Sequence, residues 1–188
     1  MKKLKITFNS PIILGFAAIC LLATILNYIT RGFTNELLFM TYHSSLSSPM
    51  TYLRFFTHVF GHADWAHFIG NMSYILLLGP MLEEKYSSAV LVEVIAVTSL
   101  ITWLINYIFF WNVALCGASG VVFAFILMSS FTSFKEGEIP LTFILVAVLY
   151  IGQQVVQGIT LNDNVSNMAH IIGGVVGGAM GYMLNRKK

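Results

Sequence analysis

Charge is what this sequence has least of. Its 188 residues include 10 Lys and Arg and 8 Asp and Glu, 10% of the chain, where an ordinary soluble domain carries roughly 25%. So few charges cannot cover the surface of a water-soluble globule, which excludes a cytosolic enzyme or a nucleic-acid binder as the default reading. The formal net charge of +2 supplies no basic stripe for phosphates. Cysteine is scarce too. Cys20 and Cys116 are too few for a disulfide framework, and both sit in or beside apolar stretches, as small hydrophobes do. There is no internal repeat of the kind that marks many transporters, no low-complexity segment and no H-E-x-x-H zinc motif. What fills the chain instead is apolar: 57% hydrophobic and 14% aromatic residues, with a mean hydropathy of +0.79. This is the composition of an integral membrane protein, and the length suits one domain.

A helix needs about 20 apolar residues to cross the ~30 Å hydrocarbon layer. Residues 11–29, directly after Lys2, Lys3 and Lys5, form the first candidate. The stretch is long for a signal-peptide core, and no small-x-small cleavage site follows it. Residues 30–66 are mixed and aromatic, with Ser44, Ser45, Ser47, Ser48 and Pro49 as a break, and are expected to contain short interfacial helices. Further spans are expected over residues 67–82, 88–111, 119–134, 140–156 and 167–184. Cytoplasmic loops carry an excess of Lys and Arg. Six crossings place Lys2, Lys3, Lys5, Lys85, Lys135, Arg186, Lys187 and Lys188 on one side, against Arg31 and Arg54 on the other. Five or seven crossings would separate the basic ends. The expected fold is therefore all-α: a polytopic, six-transmembrane-helix bundle with a long, partly helical first external loop and both termini cytoplasmic.

Polar groups in hydrocarbon are costly, so each asks for a reason. On this topology three polar clusters share one depth near the outer face: His58, His62, His67 and Asn71; Gly117-Ala118-Ser119-Gly120; and Asn167 with His170. Ser119 has two readings. It is a helix N-cap, or it is a nucleophile whose glycine neighbours admit a substrate backbone and whose helix start offers N–H groups to an oxyanion. The soluble G-x-S-x-G elbow is not met, because Val121 stands at its last glycine. Gly173, Gly177 and Gly181 follow His170 at four-residue spacing, which lets a neighbouring helix come close. Such packing is what a short Ser–His bond between helices needs. No Asp or Glu within the last three spans is placed to orient the imidazole, so a dyad fits better than a triad. His67 and Asn71, at i and i+4, put two donors on one face. Two other readings of the histidines are open: His58, His62 and His67 as zinc ligands, or as ties between the loop and the bundle.

Taken together, Arg54-Phe55-Phe56-Thr57-His58, His62, His67, Asn71, Gly79, Glu83, Gly117-Ala118-Ser119-Gly120, and Ala169-His170 with Gly173 and Gly177 resemble the rhomboid family of intramembrane serine proteases. The motif order also looks like the minimal bacterial form, a single rhomboid-like transmembrane domain over residues 1–188. The resemblance implies Ser119 as nucleophile and His170 as general base, then general acid. It implies an oxyanion hole of His67, Asn71 and the Ser119 N–H, a first loop braced by His62 and Arg54, and a bond from Glu83 near the cytoplasmic end of span 2. No cofactor and no metal are implied. The implied partners are transmembrane protein substrates and membrane lipid, with no nucleic acid, in a bacterial plasma (inner) membrane. Substrates with helix-weakening residues and a small side chain before the cleaved bond are implied. Sideways entry is expected between spans 2 and 5, where Phe143 and other bulky apolar side chains would gate. Two residues depart from the family pattern. Leu53 stands where many members have Trp, and Phe123 where many have a Tyr stacked on the histidine. The rival readings are a catalytically silent relative that binds transmembrane helices, and a transporter with Gln153, Gln154 and Gln157 lining a path.

Overall fold

The computed structural model describes residues 7–132, 138–160 and 164–186, with backbone alone for 151, 153–160 and 164–166. Among them the protein is all-helical. The helices are α1 (Pro11–Ile29), α2 (Pro49–Thr57), α3 (Trp65–Tyr86), α4 (Ser88–Phe109), α5 (Ser119–Ser129), α6 (Leu141–Thr160) and α7 (Asn164–Arg186). A helix stands at each of the six expected spans. Among the described residues, α1 and α4 are long and apolar enough to cross a membrane, with mean hydropathies of 2.4 and 2.1. Their outer faces carry Ile19, Leu22, Ile25, Leu100 and Leu104 in the open. A water-soluble protein does not expose so much apolar surface, and lipid covers it. Of the ten cations behind the expected topology, Lys2, Lys3, Lys5, Lys135, Lys187 and Lys188 lie outside the described residues.

Residues 30–64 form the partly helical loop expected before span 2. A π-helical turn over Asn35–Phe39, helix α2 and a 3-10 turn over His58–Phe60 follow one another. Pro49 and Pro11 open their helices at the first turn, where the missing N–H costs nothing. The loop is tied to the segment before α5 by an antiparallel pair, Thr41 N–H to the Leu115 carbonyl (2.9 Å) and Leu115 N–H to the Thr41 carbonyl (2.8 Å).

The start of α1 is held from a distance. The Glu83 carboxylate, buried near the end of α3, accepts from the Ile12 and Ile13 N–H groups at 3.1 Å each and from the Ser88 hydroxyl at 2.6 Å. It satisfies two of the orphan donors of α1 and places negative charge at the positive end of the helix dipole. α3 itself is capped locally, with the Asp64 carboxylate accepting from the His67 N–H at 2.8 Å. Ser87, at φ +87°, makes the tight turn that lets α4 begin at once.

α5 lies at the centre. From Gly120 to Met128 only Phe123 is not buried. A helix that is apolar all round belongs inside a bundle. Its expected length needs correction: the helix has 11 residues, about 16 Å at 1.5 Å per residue, and not the sixteen residues of 119–134. The Ser129 and Thr132 hydroxyls turn back onto the carbonyls of Ile126 (2.7 Å) and Ser129 (2.8 Å), competing with helical bonding. Phe134 lies outside the described residues. α7 packs closest against α5. A Cβ on Gly173 would overlap the Gly120 backbone, and one on Gly177 the Ala124 backbone. α6 leans on α7 and more lightly on α5, and has no extended contact with α3.

Candidate active site

The segment entering α5 sets the site. The Gly117 N–H donates to the His58 carbonyl at 2.9 Å, pinning the segment to the first loop. Gly117 sits at φ +127°, where an L side chain is strained. A Cβ there would also meet the His67 ring, 2.6 Å from Cε1 and 2.8 Å from Nε2. Two independent constraints thus require glycine. The helix then starts at Ser119, with Ala118 in the capping position and no side-chain cap. Of the two readings of Ser119, N-capping is the one this geometry does not support. The first helical bond recorded beside it runs from the Val122 N–H to the Ala118 carbonyl (2.9 Å), so helix bonding makes no claim on the N–H groups of Ser119 to Val121.

Ser119 opens onto a cavity of about 280 Å³. α3 supplies Ala66, His67, Gly70, Asn71 and Tyr74 to its wall, α5 supplies Ser119, Val122 and Phe123, and α7 supplies His170. The nucleophile, base and oxyanion donors expected from the sequence therefore stand around one space, drawn from three helices. The Phe123 ring lies flat on His170, centroids 4.4 Å apart at 10°. The Asn71 side chain is buried, and its Nδ2 has no protein partner. It faces the Gly117 position, 3.7 Å from where a Cβ would be. Tyr150 of α6 meets Phe123 edge-on at 5.7 Å and lies close to Tyr74 of α3.

The supporting residues surround this centre. Arg54 is buried, donates Nε–H to the Leu37 carbonyl (3.0 Å) and lies 4.5 Å over the Tyr42 ring. His62 sets its ring edge-on to His67 at 5.0 Å, and its carbonyl accepts from the Asn35 amide at 2.9 Å. His58 lies deeper, its Nδ1 2.9 Å from the Arg54 carbonyl. Burial holds both imidazoles at a pKa of about 4, below the usual 6.5. For His62 the neighbouring His67 adds to the depression. Among the described residues no three of His, Cys, Asp and Glu converge as metal ligands.

One expectation is altered. Phe143 does not line the cavity; it packs 4.4 Å from Phe131 and beside Gly178, on the α5–α7 side. Leu53, at the family's tryptophan position, is 43% exposed and points out of the loop. The side chains of Gln153, Gln154 and Gln157 lie outside the described residues. Thr98, Thr102 and Asn106 are a further polar feature of the bundle, absent from the motifs above. They form a buried ladder on α4, and all three keep a side-chain oxygen without a protein partner. Asn106 and Thr102 line a hollow of about 10 Å³ beside Ala169, close to the volume one water centre needs. Polar residues at i, i+4 and i+8 in an apolar span were the available signal.

A family model described as the Rhomboid domain matches residues 49–187. No curated protein matches the chain significantly.

Proposed function

This chain belongs to the rhomboid family, and on that premise we propose that it is an intramembrane serine endopeptidase working through a Ser119–His170 dyad. The observation that carries the reading is the shared cavity: Ser119, His170, His67 and Asn71 line one space although three helices supply them. In the proposed reaction His170 takes the Ser119 proton as Oγ attacks a peptide carbonyl. The new oxyanion is received by His67, Asn71 and the Ser119 N–H, donors already in place and costing no reorganisation. His170 then protonates the leaving amine, and water hydrolyses the acyl-enzyme by the same steps in reverse roles. Phe123 keeps a flat apolar face on the imidazole and holds its orientation.

A transmembrane substrate has its backbone groups bonded within its own helix, so it must unwind before a carbonyl can reach Ser119. The proposed setting is a bacterial plasma membrane, crossed six times with both termini in the cytoplasm and the cavity toward the outside. Fluorophosphonate labelling tests the chemistry, because it needs an activated serine. Wild type is expected to label, and Ser119→Ala and His170→Ala to lose the signal. Absence of labelling in folded wild type would favour the silent, helix-binding relative.

A further inference from the structure

Away from the cavity around Ser119, α1 and α4 stand apart. α1 packs mainly on α3 and touches α4 lightly, and the gap between them is a slot of about 340 Å³. α1 lends it Ile12, Phe16 and Ile19, and α4 lends it Val92 and Ile95. Phe56 and Phe60 of the first loop close one end, where the Phe60 ring meets that of Phe16 at 5.2 Å. The Ser99 hydroxyl, also in the lining, donates to the Ile95 carbonyl of its own helix at 2.7 Å and offers the slot nothing polar. Gly15 lines the slot as well, and a Cβ built there meets nothing within 4 Å. Glycine weakens a helix relative to alanine, and no atom of the bundle requires one here.

The dimensions and the polarity of the slot choose its occupant. Pro11 to Ile19 rise about 12 Å, so the volume of about 340 Å³ leaves a cross-section of about 28 Å². An α-helix, about 10 Å across with its side chains, needs about 80 Å². A neighbouring helix is too wide, and a single extended hydrocarbon chain is not. At the Pro11 end the lining turns polar. A hollow of about 650 Å³ is bordered there by Asn9, Ser10, Glu84 and Ser88, and by Glu83, whose carboxylate is taken up by α1 and Ser88. Pro11 lines both spaces, and Ser88 of the hollow stands one turn before Val92 of the slot on the same face of α4. Apolar depth with a polar mouth is the outline of an amphiphile.

We propose that the slot binds one acyl chain of a membrane phospholipid, with the headgroup in the polar hollow and the chain tip against Phe56 and Phe60. Neither Ser119 nor His170 takes part. A chain lying between two helices and a loop gains protein contacts that a chain against a single outer face does not. On the topology proposed above the hollow faces the cytoplasm, so the lipid comes from that leaflet. Its tip touches Phe60, in the same turn as His58, whose carbonyl holds the Gly117 N–H.

The test reconstitutes the whole chain in vesicles of phosphatidylethanolamine and phosphatidylglycerol that include a phosphatidylethanolamine with a diazirine on one acyl chain. The protein is then moved into detergent, which washes away loosely held lipid, and is irradiated. Native mass spectrometry should find one lipid retained per chain. A diazirine at the chain tip should crosslink to Phe56–Phe60 or beside Ile19 and Ser99, and one next to the headgroup to Pro11 or Ser88–Val92. Gly15→Phe and Ala96→Phe fill the slot and should lose both the retained lipid and the crosslink. Gly152→Phe, at an equally open glycine of α6 outside the slot, should keep them. No lipid retained by folded wild type, crosslinks outside the slot or in the reverse order, or retention unchanged in Gly15→Phe and Ala96→Phe would each overturn the proposal. A disulfide between two copies of Gly15→Cys in the vesicles would give the slot to a second copy of this chain and overturn it equally. The order of the wild-type crosslinks decides the matter even if a slot-filling variant fails to fold.

Discussion

At the scale of single residues, Asn71 stands out in the site: its amide nitrogen is buried, without a protein partner and turned toward Gly117. Removing one oxyanion donor costs about 10²–10³-fold in kcat. Asn71→Ala is expected to fall by that factor on a model substrate while its thermal midpoint changes little; a drop of under about threefold would remove it from the oxyanion hole. His58 and His62 serve the fold. Their folded pKa of about 4 lies below the unfolded value of 6.5. Between those limits the unfolded chain binds more protons, so stability falls as pH drops from about 6.5 toward 4 and is fully present above that window. Thermal unfolding from pH 7.5 to 5 should show the decline, and His58→Gln should flatten part of it. A midpoint independent of pH would contradict the burial assigned to these rings.

At the scale of helices, two contacts hold the catalytic elements in register. Glu83 caps α1 from the far end of α3. Glu83→Ala leaves the buried Ile13 N–H and the half-buried Ile12 N–H unpaired and removes a favourable charge–dipole contact, at about 2–3 kcal/mol. The expected result is a lower midpoint with fluorophosphonate labelling retained at low temperature, since the cap is remote from Ser119. The α5–α7 seam is less forgiving. Gly177 touches the Ala124 backbone, so no side chain can move aside to admit a Cβ. Gly177→Val should cost more than about 3 kcal/mol through overpacking and separate Ser119 from His170, abolishing labelling together with stability. A folded, labelled Gly177→Val would mean that the seam is looser than it appears.

At the scale of the molecule, α6 is held by α7 and more lightly by α5, and its Tyr150 lies close to Tyr74 without extended contact between α6 and α3. Sideways access there requires α3 and α6 to part. A thiol-specific crosslink between Tyr74→Cys and Tyr150→Cys is expected to stop cleavage of a transmembrane substrate while leaving fluorophosphonate labelling, whose reagent is small. Undiminished cleavage after crosslinking would refute this route.

Local composition by itself determined that the chain is an all-helical membrane protein and which polar residues were worth asking about. Hydrocarbon penalises each of them singly, so Ser119, His67, Asn71 and His170 stand out against their neighbours without any knowledge of the fold. Other features depend on contacts between residues far apart in the chain, and only packing decided them. Glu83 caps a helix seventy residues away, Phe143 turns toward α7 rather than into the opening, and α5 stops after 11 residues because its serines bond backwards. Glycine shows the division most plainly. The letters at positions 70, 117 and 177 are identical, yet open space, a histidine ring and a helix backbone stand where their side chains would be. Distances between helices are set by the atoms on both sides of each seam, and a single stretch of sequence contains only one of those sides.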